Sequence, residues 1–114
     1  FPAAFVEVIE SRYGDLAPLP LPKEPDLAYR IARDLATQRP FNWKITLDSP
    51  ESRTFEAVVE TRLFRWQDDV VVHVEGGADG GSVVHMRSKS REGKSDLGAN
   101  ARRIRDFFGE LAEN

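Results

Sequence analysis

The sequence predicts an α+β fold in which N- and C-terminal helices pack on one face of a mainly antiparallel four-stranded sheet. Apolar residues recur every three or four positions in one segment near the start of the chain and in another at its end. Between these segments lie four stretches of alternating apolar and polar residues, joined by short turns that favour antiparallel pairing. With 114 residues, 40% of them hydrophobic, the chain is long enough to bury a single core.

The first 25 residues are predicted to form an N-terminal segment and proline-rich arm packed on a single domain of residues 26–114. Residues 1–13 have apolar positions at helical spacing and indicate a short helix. Residues 16–25 contain closely spaced prolines, which exclude a helix or a central strand. The leucines of this arm indicate that it lies on the domain, because a disordered linker gains nothing from them. They are Leu16, Leu19 and Leu21.

Two segments in the first half of the domain carry clear patterns. Residues 26–38 place their apolar side chains on one face of a helix, and Pro40 ends that helix. The next strand alternates, so Trp43, Ile45 and Leu47 are expected on one buried face. Residues 54–63 alternate again, with Phe55 at the start of the buried set.

The second half of the domain contains two more strands and a final helix. Residues 70–75 and 83–88 flank a glycine-rich loop, Gly76 to Gly81, which is typical of a hairpin connection. The final helix is predicted to begin near Ser95 or Asp96, either of which can accept a hydrogen bond from a first-turn amide. Its apolar residues repeat at intervals of four and three and indicate one buried stripe.

Charge is unevenly distributed along the chain. The net charge is −3, yet residues 87–105 carry seven basic and two acidic side chains. The remainder is therefore acidic and would repel the phosphates of duplex nucleic acid, so a duplex is an improbable partner. A small anionic ligand fits this distribution better.

The basic segment leads from the last strand into the last helix and predicts an anion-binding junction. Alternation places His85, Arg87 and Lys89 on the face opposite the core, next to a helix N-terminus that favours anions. The hypothesis assigns anion contacts to Arg87, Arg91, Lys94, Ser95 and Arg103. Asp68, Asp69, Asp96 and Asn100 are expected to support this site or the fold alone. The alternative, in which these residues only cap the helix and form ion pairs, stays open.

The residues suggest two other functions. Asp68 or Asp69 could serve a hydrolytic enzyme, but adjacent strand residues point to opposite faces, so catalysis is the weaker expectation. His73 and His85 lack a third metal ligand, and no metal or other cofactor is predicted. Association with another protein or a second copy of the chain is the other alternative. Its expected interface lies on the outer sheet face, at Val58, Phe64 and Trp66.

The run Arg87-Ser88-Lys89-Ser90-Arg91-Glu92-Gly93-Lys94-Ser95-Asp96-Leu97-Gly98-Ala99-Asn100, with Asp68-Asp69 upstream, resembles the bacterial and plastid family called domain of unknown function 1499. The resemblance extends over residues 16–111. Members often carry transmembrane helices before this domain, which implies membrane association through a segment upstream of Phe1. The chain itself has no apolar run long enough to span a bilayer. The resemblance implies no catalytic residue.

Overall fold

The protein is described by a computed structural model over residues 18–60, 67–90 and 97–114. These ranges contain five strands and two α-helices, with one-turn 3₁₀ helices at Pro50–Ser52 and Ala78–Gly80. In chain order the main elements are β1 (Leu19–Leu21), α1 (Pro25–Thr37), β2 (Lys44–Ser49), β3 (Thr54–Glu60), β4 (Gln67–Gly76), β5 (Ser82–Ser90) and α2 (Leu97–Glu113).

The strands form one antiparallel sheet in the order β1-β5-β4-β3-β2. The sheet therefore has five strands, whereas the sequence predicted four. The additional strand, β1, comes from the proline-rich arm and pairs Leu19 with Val84 and Leu21 with Ser82. Proline is tolerated here because β1 is an edge strand, where an amide can be missing without breaking a ladder on both sides. Leu21 is buried and joins the core.

Both helices pack on the same face of the sheet and share one core with it, as predicted. Helix α1 begins at Pro25, and the Glu24 carboxylate caps it by accepting a hydrogen bond from the Leu27 amide at 3.1 Å. The apolar stripes of the two helices meet the inward side chains of β3, β4 and β5. The largest fully buried apolar side chains are Phe55, Phe107, Ile104, Leu111, Val70, Val72, Val74 and Val84.

Strand β2 departs from the predicted alternation because its pairing with β3 shifts between Ile45 and Leu47. Such a bulge reverses the faces of the residues that follow it. Trp43 is buried and Ile45 packs against the core, as expected, but Leu47 is 45% exposed. The prediction is wrong for Leu47. The same shift turns Asp48 towards α1, where it accepts hydrogen bonds from helix side chains.

The predicted hairpin between β4 and β5 is confirmed by their antiparallel register. The Gly77 amide donates to the Gly81 carbonyl across the loop at 2.9 Å, and Gly80 has a φ of 76°. A side chain at Gly81 would place its Cβ 2.8 Å from the Leu21 carbonyl oxygen. This glycine therefore allows β1 to approach the hairpin closely.

Several predictions fall outside the described residues. They are the short helix over residues 1–13, the beginning of the arm at Leu16, the last residues of the strand predicted over 54–63, and the helix start at Ser95 or Asp96. Helix α2 is described from Leu97 onwards. Within the described ranges, no helix combines the length and apolar character that a membrane crossing requires.

Candidate functional site

A buried cluster of four polar side chains joins α2 to strands β4 and β5. Arg103 Nη1 lies 2.9 Å from Asp68 Oδ2 and donates to Ser88 Oγ and Asn100 Oδ1, each at 2.8 Å. Ser88 Oγ also donates to Asn100 Oδ1 at 2.6 Å. Asp68, Ser88 and Asn100 are each at most 5% exposed. The mutual contacts offset the desolvation of the charged pair, which would otherwise destabilise the interior.

Sequence position explains how these polar groups come to face the core. Asp68 is in phase with Val70 and Val72, so strand alternation directs its side chain towards the helices. Asn100 precedes Ile104 by four residues and lies on the buried stripe of α2. Polar residues at positions where the strand or helix pattern requires apolar ones could have indicated this cluster. The sequence alone did not show that these residues contact one another.

An open cleft of about 360 Å³ adjoins the cluster, with Arg103 as the residue common to both. We call it the Arg103 cleft. Three segments line it: the connection between α1 and β2, the last residues of β3, and the middle of α2. The contacts of Arg103 with Asp68, Ser88 and Asn100 all use Nη1, and the same side chain lines the cleft. The lining residues are Pro40, Phe41, Trp43, Val59, Glu60, Arg102, Arg103 and Asp106.

Aromatic rings form the apolar wall of the Arg103 cleft. The centroid of Phe41 lies 5.3 Å from that of Trp43 and 5.3 Å from that of Phe107, both in edge-on contacts. Trp43 stacks on Phe107 at 4.8 Å. Three mutually contacting rings give a rigid surface, because each fixes the rotamers of the others. The half-buried Phe41 is the ring of this cluster best placed to contact a ligand.

The lining of the Arg103 cleft includes charged residues of both signs. Arg102, Glu60 and Asp106 are exposed, and none of their side chains has an ion pair or hydrogen bond in the part of the chain that the structure describes. Arg103, in contrast, is paired with Asp68. Within the described ranges, the Arg102 guanidinium therefore has no ion-pair partner, whereas that of Arg103 has one.

The structure does not bring together all the residues of the predicted anion-binding junction. Arg87 and Lys89 are exposed on the outer face of β5, away from the helices, as alternation predicted. Arg103 lies on the helix-covered face. Arg87 and Arg103 are therefore separated by the sheet. The remaining residues proposed for the junction, Arg91, Lys94, Ser95 and Asp96, lie outside the described ranges.

The two adjacent aspartates occupy opposite faces of β4. Asp68 is buried and paired with Arg103, whereas Asp69 is half-buried on the outer face, opposite Lys89 in the register. General acid–base chemistry needs both groups within reach of one substrate. Asp68 and Asp69 are not arranged for it.

The histidines form a cross-strand pair on the outer face. His73 and His85 stack with centroids 6.2 Å apart. Thr54 Oγ1 lies 2.8 Å from His73 Nδ1, and His85 contacts the Glu75 carboxylate. Among residues 18–60, 67–90 and 97–114, no three His, Cys, Asp or Glu side chains are grouped as metal ligands. Val58 is half-buried on this face, and Phe64 and Trp66 lie outside the described ranges.

A second cleft, of about 590 Å³, lies between α1 and the turn before β3, and is lined by Arg30, Arg33 and Arg53. Two of these arginines are already neutralised by carboxylates. Arg33 lies 2.8 Å from Asp48, and Arg53 lies 3.3 Å from Asp26. We interpret these ion pairs as contacts that hold α1 against the sheet edge. They leave little positive charge in this cleft for an anion.

Tyr29 and Asp48 form a further contact between α1 and the sheet edge. The Tyr29 hydroxyl donates to Asp48, and it lies 3.1 Å from the Thr54 carbonyl oxygen. Burial, together with the hydrogen bond to Asp48, raises the pKa of Tyr29. The Tyr29 hydrogen bond and the Arg33 guanidinium hold the pKa of Asp48 below its ordinary value. Both shifts favour a neutral tyrosine beside an ionised aspartate.

The fold and its cleft define a small α+β domain, with a five-stranded antiparallel sheet covered by helices on one face. The model of the family described as proteins of unknown function, DUF1499, matches residues 2–111. The chain belongs to this family, and the resemblance read from residues 87–100 is confirmed. A search of curated proteins finds no match to the chain.

Proposed function

We propose that this domain is a binding module that holds a small ligand in the Arg103 cleft, with the guanidinium groups of Arg102 and Arg103 contacting an anionic group of that ligand. The observation that carries the proposal is the double role of Arg103. Its Nη1 is fixed by three buried partners, while the same side chain lines an open cleft. A guanidinium fixed in this way loses little further freedom when it binds a ligand.

The chemistry of the cleft favours a ligand with two parts. An arginine presents planar N–H donors suited to a carboxylate or a phosphate. The aromatic wall favours an apolar body next to that anionic group. The proposed site keeps Arg103 from the anion-binding junction predicted from sequence, and replaces the outer-face Arg87 with Arg102.

Tryptophan fluorescence can test the proposal, because Trp43 belongs to the aromatic wall. The chain has two tryptophans, so the Trp66→Phe variant leaves Trp43 as the only reporter. We expect 3-phenylpropionate to change the emission saturably. Arg102→Gln is expected to weaken binding without loss of stability, because Arg102 is exposed and unpaired among the described residues.

Two further variants make this test specific. Arg103→Lys retains the charge beside Asp68 but removes Nη2, so we expect weaker binding by a folded protein. Arg105→Gln removes an exposed charge of α2 that is not part of the cleft lining, and is expected to bind as wild type does. Should Trp66→Phe fail to fold, the indole N–H resonances of the wild-type protein replace fluorescence. Equal binding by wild type, Arg102→Gln and Arg103→Lys would overturn the proposal.

The alternative function, association with a protein partner or a second copy, stays a prediction. The helices cover one face of the sheet, and Val58 and Leu47 lie on the other face. Sedimentation velocity over a range of concentrations tests self-association. If Val58→Glu dissociates a dimer that wild type forms, the dimer interface lies on the outer face of the sheet.

A further inference from the structure

We propose that the outer face of the sheet binds the same face of a second copy of the chain, in a dimer whose two-fold axis runs parallel to β4. The inference does not depend on a ligand in the Arg103 cleft, which adjoins the helices. It is carried by the charges of the outer face, which are separated by strand. They are acidic on β3, at Glu56 and Glu60, and basic on β5, at Arg87 and Lys89.

One cross-strand row places charges of opposite sign on either side of an apolar residue. Val71 pairs with Glu56 of β3 and with Arg87 of β5. All three alternate with buried residues, so their side chains point away from the helices. Glu56 and Arg87 are two strand spacings apart, about 10 Å, which is too far for an ion pair within one copy. The Glu56 side chain has no ion pair or hydrogen bond in the part of the chain that the structure describes.

Apolar side chains surround Glu56 and would form the centre of the interface. Leu47 pairs with Glu56 from β2, and Val71 pairs with it from β4. Val58 follows two residues later on the same face and is half-buried. Leu47 is 45% exposed. A carboxylate among apolar side chains needs a partner when a second surface covers it, and a guanidinium provides both charge and hydrogen-bond donors.

The charges select one of the two aligned ways of packing these faces together. A two-fold axis parallel to β4 places β5 of each copy over β3 of the other. Glu56 of each copy then meets Arg87 of the other, and the two Val71 side chains meet at the axis. An axis perpendicular to the strands would place β3 on β3 and β5 on β5, with like charges opposed. In the next row Asp69 has Lys89 beside it in the register, so each copy brings both signs to the axis there.

The size of the face sets the expected affinity. Five strands about 4.8 Å apart, with seven residues of about 3.3 Å each, give a face of about 550 Å² per copy, or about 1,100 Å² in the dimer. This area is near the lower limit for specific interfaces, so a weak dimer is expected. Sedimentation velocity should therefore extend to protein concentrations of about 1 mM.

Charge reversal provides the experiment. We expect wild type to dimerise, and Glu56→Arg and Arg87→Glu each to weaken the dimer by at least about tenfold, because every dimer contains the reversed contact twice. A mixture of the two single variants should dimerise as wild type does, since a dimer with one copy of each opposes unlike charges at both contacts. Arg105→Glu and Glu110→Arg, exposed on α2, are the matched controls and should leave the dimer unchanged.

Three outcomes would overturn the inference: a wild type that stays monomeric up to about 1 mM, a dimer that survives both reversals, or a mixture that does not dimerise. Far-ultraviolet circular dichroism verifies that each variant folds. If a single variant does not, the double variant Glu56→Arg/Arg87→Glu, which exchanges the charges within one chain, replaces it and should dimerise as wild type does. Binding of 3-phenylpropionate in the Arg103 cleft should be the same in every folded variant, so failure of the dimer leaves the proposed function standing.

Discussion

Arg103 and Asp68 are a charged pair placed where water has little access, with side chains 13% and 7% exposed. Removing one partner from such a pair leaves a charge without compensation. We expect Arg103→Leu to lower the free energy of unfolding by about 3–5 kcal/mol in urea denaturation. The double variant Asp68→Leu/Arg103→Leu should recover part of this loss. If the double variant is less stable than Arg103→Leu, ionic pairing is not what Arg103 contributes.

Asp48, which contacts Tyr29 and Arg33 of α1, predicts a pH dependence of stability. Its pKa is below the ordinary 3.8 because the Tyr29 hydroxyl donates to it and Arg33 lies beside it. A carboxyl whose pKa is lower in the folded state stabilises the fold above the unfolded-state pKa. This stabilisation is lost as the pH falls through the folded-state value. The unfolding free energy of wild type minus that of Asp48→Asn should therefore be constant near neutral pH and decrease below about pH 4. An unchanged difference at pH 3 would contradict this assignment.

At the scale of elements, the sequence predicted strands that obey alternation and failed where a local irregularity intervened. Phe55 and Ala57 are buried as predicted, because β3 pairs without interruption. Leu47 is not, because the bulge in β2 depends on pairing geometry that no periodicity reveals. Strand β1 was not predicted either, because its prolines were taken to exclude a strand. Proline excludes a central strand, but an edge strand needs only one side of its ladder.

The bulge in β2 can be tested by comparing substitutions before and after it. We expect Ile45→Thr to lower the free energy of unfolding by about 1–2 kcal/mol, because Ile45 packs against the core. Leu47→Thr should change it by less than about 0.5 kcal/mol, because Leu47 is on the exposed face. Guanidinium denaturation of the two variants measures both effects. Equal losses would show that Leu47 faces the core after all.

Two glycines test how closely the elements approach each other. In Gly81→Ala the new Cβ would lie 2.8 Å from the Leu21 carbonyl oxygen, so β1 must move and stability should fall by about 1–3 kcal/mol. Gly109→Ala, in the interior of α2 with open space around it, should raise stability by up to about 1 kcal/mol. Thermal unfolding compares them directly. Equal changes in midpoint would mean that the close approach of β1 is not required.

The candidate site was predictable only in part, because its residues come from several elements whose contacts the sequence does not show. Arg103 and Asn100 stood out in the sequence as members of a basic and polar segment that could bind an anion. Their partners Asp68 and Ser88 come from β4 and β5, and only the cross-strand register brings them together. Glu60 and Phe41 belong to segments with no chemical motif. They reach the cleft because β3 and the connection after α1 end beside α2.

At the scale of the whole molecule, one core joins both helices to the sheet, so a ligand in the Arg103 cleft should stabilise the entire domain. A ligand that binds only the folded state, at about 100 times its dissociation constant, raises the free energy of unfolding by about 2.7 kcal/mol. We expect 3-phenylpropionate to produce this rise equally in far-ultraviolet circular dichroism and in the fluorescence of Trp43. Arg105→Gln should show the same rise at the same concentration, and Arg102→Gln a smaller one. A fluorescence transition that shifts without the circular dichroism transition would mean that the cleft unfolds separately from the core it adjoins.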